Sequence, residues 1–364
     1  GLLQQLNGKD LLMDSLFFNE EHTLLVDMVK DFANTEIAPI AYDMDKNCEI
    51  PKMIISQMAE LGLMGIPIVE EYGGAGMDTV AYAAAVLELA KVDASVAITM
   101  AADTSLGTLP IAIAGTEEQK QKYLPKLATG EIIGAFGLTE PSAGSDAGST
   151  KTTAVLDDDE YVVNGGKIFI TNSSLAGLLT LTTNIIENGE NKGIGALIVE
   201  TNNSGLKIGP KEKKMGWRAS DTRQLFFENM RVPKENLLGQ PTEGFKTFLK
   251  TLTGGRISVA ALSCGTAEGA YQKALNYSTE RKAFGKEIHK FQAVGFKLAD
   301  MATDIEAAKL LTFHAAWMKD QGKNVTKAAA MAKLFASEAA MRITTEAIQV
   351  HGGYGYVKEY DVER

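Results

Sequence analysis

Hydrophobic residues recur at helical spacing through the first third of the chain. The stretch EEHTLLVDMVKDFANTEIAPIA shows this spacing until Pro39, which ends the pattern. Later, TEEQKQKYLPKLATG predicts an amphipathic helix with Thr116 as its N-cap and Gly130 as its terminating glycine. We therefore predict an N-terminal helical domain over residues 13–130.

The pattern changes in the middle of the chain and then returns to helical spacing. Residues 131–240 contain short runs rich in β-branched and aromatic residues, separated by Gly, Asn and Asp. This spacing predicts an antiparallel β-sandwich or barrel. Residues 241–364 contain helical patterns longer than twenty residues with short breaks, and the first of these continues to Phe284. They predict a C-terminal helix bundle, so the fold class is α+β, with helices, sheet and helices in that order.

Composition and charge limit the classes of function that this chain can have. The 364 residues favour two or three domains. A net charge of -10 without a basic block disfavours nucleic-acid binding, because phosphate contacts need clustered Lys and Arg. Cys48 and Cys264 have no metal-ligand spacing and do not form a disulfide framework, and the four histidines are scattered. We therefore expect no metal site, a reducing compartment and a cytoplasmic protein.

One run of low charge, residues 94–116, contains Asp103 as its single charged residue. The run is long enough to span a membrane. A mid-bilayer aspartate costs about 3 kcal/mol, however, so a buried helix with an entry loop is the better interpretation. Asp103 is either an N-cap of the following helix, since Asp-Thr-Ser suits a cap, or a catalytic base. At the start of the chain, Met13 is one candidate for the natural first residue, and residues 1–12 would then be an artificial extension.

Neither a GxGxxG after a strand nor a Walker A motif is present, so a Rossmann dinucleotide site is disfavoured. Five other motifs occur in order: GAFGLTEPSAGSD (134–146), GGKIFITN (165–172), GWRASDTRQLFFENMRVPKENLLG (216–239), RKAFGKEIHKFQ (281–292) and AIQVHGGYGY (347–356). This series in a helix–sheet–helix frame resembles the acyl-CoA dehydrogenase family over nearly the whole chain. The resemblance implies FAD, an acyl-CoA substrate, a homotetramer and electron transfer to an electron-transfer flavoprotein.

The resemblance also assigns cofactor residues. One group lies along the flavin ring or bonds to it: Phe136, Leu138, Thr139, Ser145, Phe169 and Thr171. A second group holds the pyrophosphate and adenine of FAD across a subunit interface: Arg281, Phe284, Gln292, Gln349, Gly352 and Gly353. Without the resemblance, the phenylalanines of the first group would be interpreted as sheet core, and Arg281 as a solvated helix residue. An isolated monomer is expected to be inactive, because a neighbour completes the site.

The resemblance implies a substrate site that includes Ser145, Phe245, Leu249 and Arg256, with Arg256 near the base. Most family members carry a glutamate base in a Y-E-G-T stretch that would follow residue 364. A minority place it where this chain has Gly254 or Gly255. Neither usual position shows an acid in this sequence.

Asp103 is then the outstanding alternative for the base. It would be too far along the acyl chain to reach the α-carbon, but it could reach a γ-carbon. This favours 1,4-dehydrogenation of cyclohex-1-ene-1-carboxyl-CoA to a cyclic diene, as in the branch of the family in anaerobic aromatic degradation. The alternatives are a short-chain, butyryl-type enzyme with its glutamate after residue 364, a non-catalytic acyl-CoA or flavoprotein-partner scaffold, and an oxidase that uses oxygen.

Overall fold

The computed structural model describes residues 16–364, except Glu243 and the side chains of Phe245 and Lys246. The expected extension over residues 1–12 and the candidate start at Met13 lie outside the described residues. The described chain forms two compact units. One comprises the residues up to Asp43 together with residues 78–97 and 256–364, and the other comprises residues 44–77 and 98–255.

Helices form the N-terminal part of the chain, as the hydrophobic spacing predicts. The first α-helix ends at Phe32, earlier than the pattern that runs to Pro39 predicts, and a π-helical stretch, Ala33–Ile37, and a 3-10 turn that contains Pro39 connect it to the second helix. Thr116 caps its helix through a reciprocal capping box with Gln119, and Gly130 follows the helix end in the left-handed conformation, with φ +71°. The helices are α1 (Glu20–Phe32), α2 (Ala41–Asn47), α3 (Lys52–Glu60), α4 (Thr79–Val92), α5 (Ala94–Ala102), α6 (Leu109–Ala114) and α7 (Glu117–Ala128).

The low-charge run is one continuous helical segment, Ala94–Ala114, in which a π-helical stretch, Asp103–Thr108, joins α5 to α6. The entry loop that the sequence predicts is therefore wrong. So is the N-cap alternative for Asp103, because that residue lies inside the segment and makes no capping hydrogen bond. The segment is long and apolar enough to cross a membrane, but 72% of its most apolar window is buried inside the protein. A buried helix of a globular protein accounts for its composition.

The middle of the chain forms one eight-stranded sheet in the order β6-β7-β3-β2-β4-β5-β8, with β1 paired to β4. The expected β domain is confirmed, but the sheet is mixed, because β1 and β2 both pair with β4 in parallel. The strands are β1 (Ile133–Gly137), β2 (Thr153–Asp157), β3 (Glu160–Thr171), β4 (Ala176–Glu187), β5 (Glu190–Glu200), β6 (Leu206–Lys211), β7 (Thr222–Pro233) and β8 (Leu237–Leu238).

Alternating side chains of these strands form the core of the sheet. Tyr161 and Val163 of β3, Leu181 of β4, Leu197 of β5 and Met230 of β7 are all completely buried. This alternation is the pattern of a sheet with one face packed on a core. β1 pairs with β4 in regular parallel register from Gly134 to Gly137.

The C-terminal part of the chain is helical, as predicted, with one correction. The first helix ends at Glu280 rather than Phe284, because residues 282–287 form a two-stranded hairpin. Buried Ala274, Met301, Ala339 and Ile343 contribute to the core among the long helices. The elements are α8 (Gly244–Glu280), β9 (Lys282–Ala283), β10 (Lys286–Glu287), α9 (Gln292–Asp320) and α10 (Thr326–His351).

Candidate active site

The backbone after β1 is held by hydrogen bonds to three successive carbonyl groups. The Thr182 hydroxyl donates to the Gly137 carbonyl at 3.1 Å, and the Lys167 ammonium donates to the Leu138 carbonyl at 2.9 Å. The Ile168 N–H donates to the Thr139 carbonyl at 2.8 Å. Leu138 and Thr139, which the sequence assigns to the flavin, are half-buried. Their peptide planes are therefore set by the protein itself.

Phe136 and Phe169 have different surroundings. The Phe136 ring stacks on Phe248 of α8, with centroids 5.0 Å apart and planes 23° apart. One face of the half-buried Phe136 ring is therefore covered by Phe248. Phe169 is 61% exposed and has φ +60°, at a register shift between β3 and β7. A bulky residue held in the left-handed region costs on the order of 1–3 kcal/mol, and such strain is typical of ligand-binding positions.

Thr171 and Ser145 are two further residues that the sequence predicts at the flavin. Thr171 is half-buried at the end of β3, opposite Thr222 of β7. Ser145 is exposed in the turn that follows Glu140. Their hydroxyls are available as hydrogen-bond donors, and their assignment to the flavin stays a prediction.

Three of the six residues in the second predicted group line a cleft of about 420 Å³ in the unit that contains the C-terminal helices. Arg281, Gly352 and Gly353 line this cleft together with Tyr277 and His351. A Cβ added at Gly352 or Gly353 would meet nothing within 4 Å, so both residues border open space. A cradle of open backbone beside a guanidinium fits a pyrophosphate, because the planar fork of Arg bonds two oxygens at once.

The other members of that group lie on the surface of the same unit. Phe284 is 96% exposed at the tip of the small hairpin, where it has φ +51° and the next residue, Gly285, has φ +78°. These angles are those of a type I′ turn, which rarely accepts a bulky first residue. Gln292 is the exposed first residue of α9, and Gln349 is exposed near the end of α10, where its carbonyl accepts the Gly352 N–H. An exposed, strained aromatic indicates a contact outside the single chain.

Asp103 is completely buried, with 0% exposure. Its Oδ1 accepts the Gly134 N–H of β1 at 2.5 Å, and its Oδ2 has no hydrogen-bond partner among the described residues. Burial raises the pKa of this carboxyl to about 8, and the hydrogen bond from Gly134 only partly opposes that shift. The group is thus neutral for much of the physiological range, and no open surface reaches it.

The α8 residues predicted for the substrate lie on one helix. Leu249 is exposed, and Arg256 is half-buried. The side chain of Phe245 lies outside the described part of the chain. Gly255 is buried, and a Cβ there would lie 3.6 Å from Leu106 and 3.9 Å from the Ser105 hydroxyl of the π-helical stretch. The structure thus places the position that carries a base in a minority of the family beside the Asp103 segment.

Lys167 and Glu140 are residues that the sequence analysis missed. Both lie inside quoted motifs, GGKIFITN and GAFGLTEPSAGSD. The available signal was a lysine within an apolar strand, since a buried lysine requires a partner. In the structure the two side chains form a buried ion pair with N–O distance 2.7 Å.

Comparison with known proteins agrees with this arrangement. The family models described as the N-terminal, middle and C-terminal domains of acyl-CoA dehydrogenase match residues 19–131, 135–230 and 242–364. A probable acyl-CoA dehydrogenase of Bacillus subtilis (strain 168) is 53% identical over 95% of this chain and 91% of its own length. The chain belongs to the acyl-CoA dehydrogenase family. It is therefore an oxidoreductase acting on the CH–CH group of acyl-CoA thioesters, and its cofactor is FAD.

Two solved structures are also similar. The butyryl-CoA dehydrogenase of Megasphaera elsdenii matches with a TM-score of 0.92 and 45% identity, over 95% of this chain and 91% of that chain. A chain in a structure described as the electron transferring flavoprotein of Acidaminococcus fermentans matches with a TM-score of 0.93 and 50% identity, with the same coverage. Both comparisons support the same fold: helical N-terminal domain, middle β domain and C-terminal helical domain.

Proposed function

We propose that this acyl-CoA dehydrogenase oxidises short-chain acyl-CoA thioesters between the α- and β-carbons, with a base other than Asp103. The observation that carries the proposal is the complete burial of Asp103, with Oδ1 on the Gly134 N–H. A general base must come within about 3 Å of the proton that it removes. Asp103 faces packed protein instead, and the similarity to butyryl-CoA dehydrogenase supports a short acyl chain.

The chemistry requires a carboxylate that takes the α-proton while the thioester carbonyl is polarised. Gly254 and Gly255 supply no acid, so the glutamate that the resemblance places after residue 364 is the candidate base. Bound FAD would supply the acceptor for the hydride of the β-carbon. The residues of this chain would bind and orient the cofactor and the substrate. We assign Thr139 and Thr171 to the flavin, Arg281 to the pyrophosphate, and Arg256 to the neighbourhood of the acyl group.

The partners follow from the same reasoning. An electron-transfer flavoprotein is the proposed electron acceptor, supported by the similarity to the chain in the Acidaminococcus fermentans structure. A homotetramer is the proposed assembly. Met331, Leu334 and Met341 are exposed at helical spacing on α10, and such an apolar face favours contact with another copy.

A second candidate function keeps Asp103 as the base. Its Oδ2 has no partner among the described residues, and burial raises its pKa to about 8, so the carboxylate form that can accept a substrate proton is populated as the pH rises through that value. The reaction would be 1,4-dehydrogenation of cyclohex-1-ene-1-carboxyl-CoA, whose α-carbon carries no hydrogen. This alternative requires Asp103 to turn from Gly134 toward the substrate.

Anaerobic bleaching of the flavin absorbance separates these reactions. Full-length wild type, Asp103→Asn and, as a control for loss of one charge, Asp159→Asn at an exposed position are each mixed with butyryl-CoA or with cyclohex-1-ene-1-carboxyl-CoA. We expect butyryl-CoA to bleach all three proteins. Bleaching by the cyclic thioester alone, lost only in Asp103→Asn, would establish the second function. Absence of bleaching with both thioesters contradicts both reactions and favours a non-catalytic scaffold.

A further inference from the structure

Lys167 is a fully buried lysine in the middle of β3, with a side-chain exposure of 0%. Four oxygens surround its ammonium: the Glu140 carboxylate at 2.7 Å, the Leu138 carbonyl and the Thr150 hydroxyl at 2.9 Å, and the Thr182 hydroxyl at 3.3 Å. An ammonium has three N–H donors, so every donor has an acceptor. Because all donors of the ammonium are hydrogen-bonded, the lysine can be buried in the interior of a strand.

Glu140 fixes the charge of the cluster. Burial acts to raise the pKa of its carboxyl, but hydrogen bonds from Lys167 and Thr150 hold that pKa at about 2. The backbone N–H groups of Lys151 and Thr152 also donate to the carboxylate, at 2.7 and 3.1 Å. Glu140 is therefore an anion at neutral pH, and its charge partly offsets the burial that lowers the pKa of the Lys167 ammonium.

The bond from Lys167 to Leu138 has a consequence for the next residue. A trans peptide is planar, so the N–H of one residue points opposite to the carbonyl of the residue before it. The Lys167 ammonium holds the Leu138 carbonyl and thereby sets the direction of the Thr139 N–H. The Thr182 hydroxyl holds the Gly137 carbonyl, which sets the direction of the Leu138 N–H in the same way.

We propose that Lys167, assisted by Thr182, is a positioning residue that aims the Leu138 and Thr139 backbone N–H groups at the flavin. A preorganised donor binds a cofactor edge without paying the entropy of orienting a free peptide. The inference rests on the assignment of Thr139 to the FAD site and is independent of which thioester is oxidised. Failure of either reaction above therefore leaves it standing.

The test separates positioning from folding. Lys167→Met alone leaves Glu140 buried without its cation, so we expect a clearly lower melting temperature than that of the wild type. Glu140→Gln/Lys167→Met removes both charges and keeps an amide oxygen for the Lys151 and Thr152 N–H groups. We expect the melting temperature of the double-variant apoprotein to recover most of the loss seen with Lys167→Met. Glu140→Gln alone keeps Lys167 with its hydrogen bonds to Leu138, Thr150 and Thr182, so it is the reference for the loss of the lysine side chain.

Two readouts follow FAD: the dissociation constant on reconstitution of the apoprotein and the absorption spectrum of the bound flavin. We expect Glu140→Gln/Lys167→Met to bind FAD at least tenfold more weakly than Glu140→Gln and to shift the flavin spectrum. The matched control is Asp45→Asn/Arg218→Met, which removes another hydrogen-bonded ion pair of the same compact unit. This control should bind FAD as the wild type does.

FAD binding within twofold of Glu140→Gln, with an unchanged spectrum, would overturn the inference and leave Lys167 a purely structural residue. Should the double variant fail to fold, Thr182→Val takes its place, because it removes the hydrogen bond to the Gly137 carbonyl without altering charge. Weaker FAD binding and a shifted spectrum then support the inference. Wild-type values for both contradict it.

Discussion

Asp103 illustrates how one buried carboxyl couples the stability of the fold to pH. Burial raises its pKa from 3.8 to about 8 in the folded protein. The unfolded chain exposes the group to water and restores the lower value. Between these two pKa values the folded state retains a proton that the unfolded state has released, so stability falls as pH rises from about 4 to about 8.

Asp103→Asn should remove this pH dependence. Asparagine keeps a carbonyl oxygen for the Gly134 N–H but has no proton to lose. Each pKa unit corresponds to about 1.4 kcal/mol, so the difference in unfolding free energy between variant and wild type should shift by several kcal/mol in favour of the variant between pH 5 and pH 8. Urea denaturation at both pH values measures it.

Asp159→Asn is the control for this experiment, since it removes the same charge from an exposed position. Its stability relative to wild type should be constant between pH 5 and pH 8. A constant difference for Asp103→Asn as well would mean that the buried carboxyl is already ionised in the folded protein.

At the scale of elements, the π-helical stretch Asp103–Thr108 packs closely on β1 through two glycines. A Cβ at Gly107 would lie 2.6 Å from the Cα and carbonyl carbon of Gly134, and a Cβ at Gly134 would lie 2.9 Å from the Gly107 Cα. These contacts are backbone to backbone, so no side chain can move aside. The hydrogen bond from Gly134 to Asp103 joins the same two elements.

Gly107→Ala should therefore destabilise the protein although Ala favours helix. The gain in helix propensity is about 1 kcal/mol, whereas forced overpacking costs about 1–3 kcal/mol and more against rigid backbone. We expect a net loss of roughly 2 kcal/mol, measured as a lower denaturation midpoint. Gly255→Ala is the matched control, because its new Cβ would make only ordinary contacts, 3.6 Å to Leu106 and 3.9 Å to Ser105.

Gly255→Ala should be neutral or stabilising by up to about 1 kcal/mol. Equal stability of the two alanine variants would mean that the π-helical stretch Asp103–Thr108 can move away from β1 without loss of stability.

The sequence predicted most elements because their signals are local. Thr116 and Gly130 bound a helix through their own backbone neighbours, and both predictions are confirmed. The role of Asp103 as an N-cap was wrong because the deciding partner, Gly134, lies 31 residues away. The prediction of an antiparallel sheet was wrong in part, because β1 and β2 pair with β4 in parallel. Strand direction depends on which strands become neighbours in the fold, and the local sequence pattern does not show that. The partners of Lys167 could not be predicted either, because they lie between 15 and 29 residues away in the sequence.

At the scale of the whole molecule, the predicted flavin residues could be identified only through five motifs in order. Composition and periodicity predicted helices, sheet and helices, and the family comparison confirms that order. No local pattern distinguishes Arg281 from a solvated helix residue. In the structure its distinguishing feature is a cleft that it shares with Gly352 and Gly353, which the chain brings together over some seventy residues.

FAD should stabilise the assembled protein, because a ligand that binds only the folded state shifts the folding equilibrium toward that state. A ligand at one hundred times its dissociation constant stabilises the folded state by about 2.7 kcal/mol, which corresponds to roughly 5–10 °C in melting temperature for a unit of this size. Apoprotein titrated with FAD should therefore melt progressively higher, as followed by thermal denaturation. Arg281→Met should require more FAD for the same rise, because the guanidinium beside the Gly352 cleft is lost. Lys327→Met, which removes a charge at an exposed position of α10, should follow the wild-type curve. If Lys327→Met shifts the curve as much as Arg281→Met does, the effect of Arg281 is due to net charge and not to its place in the cleft.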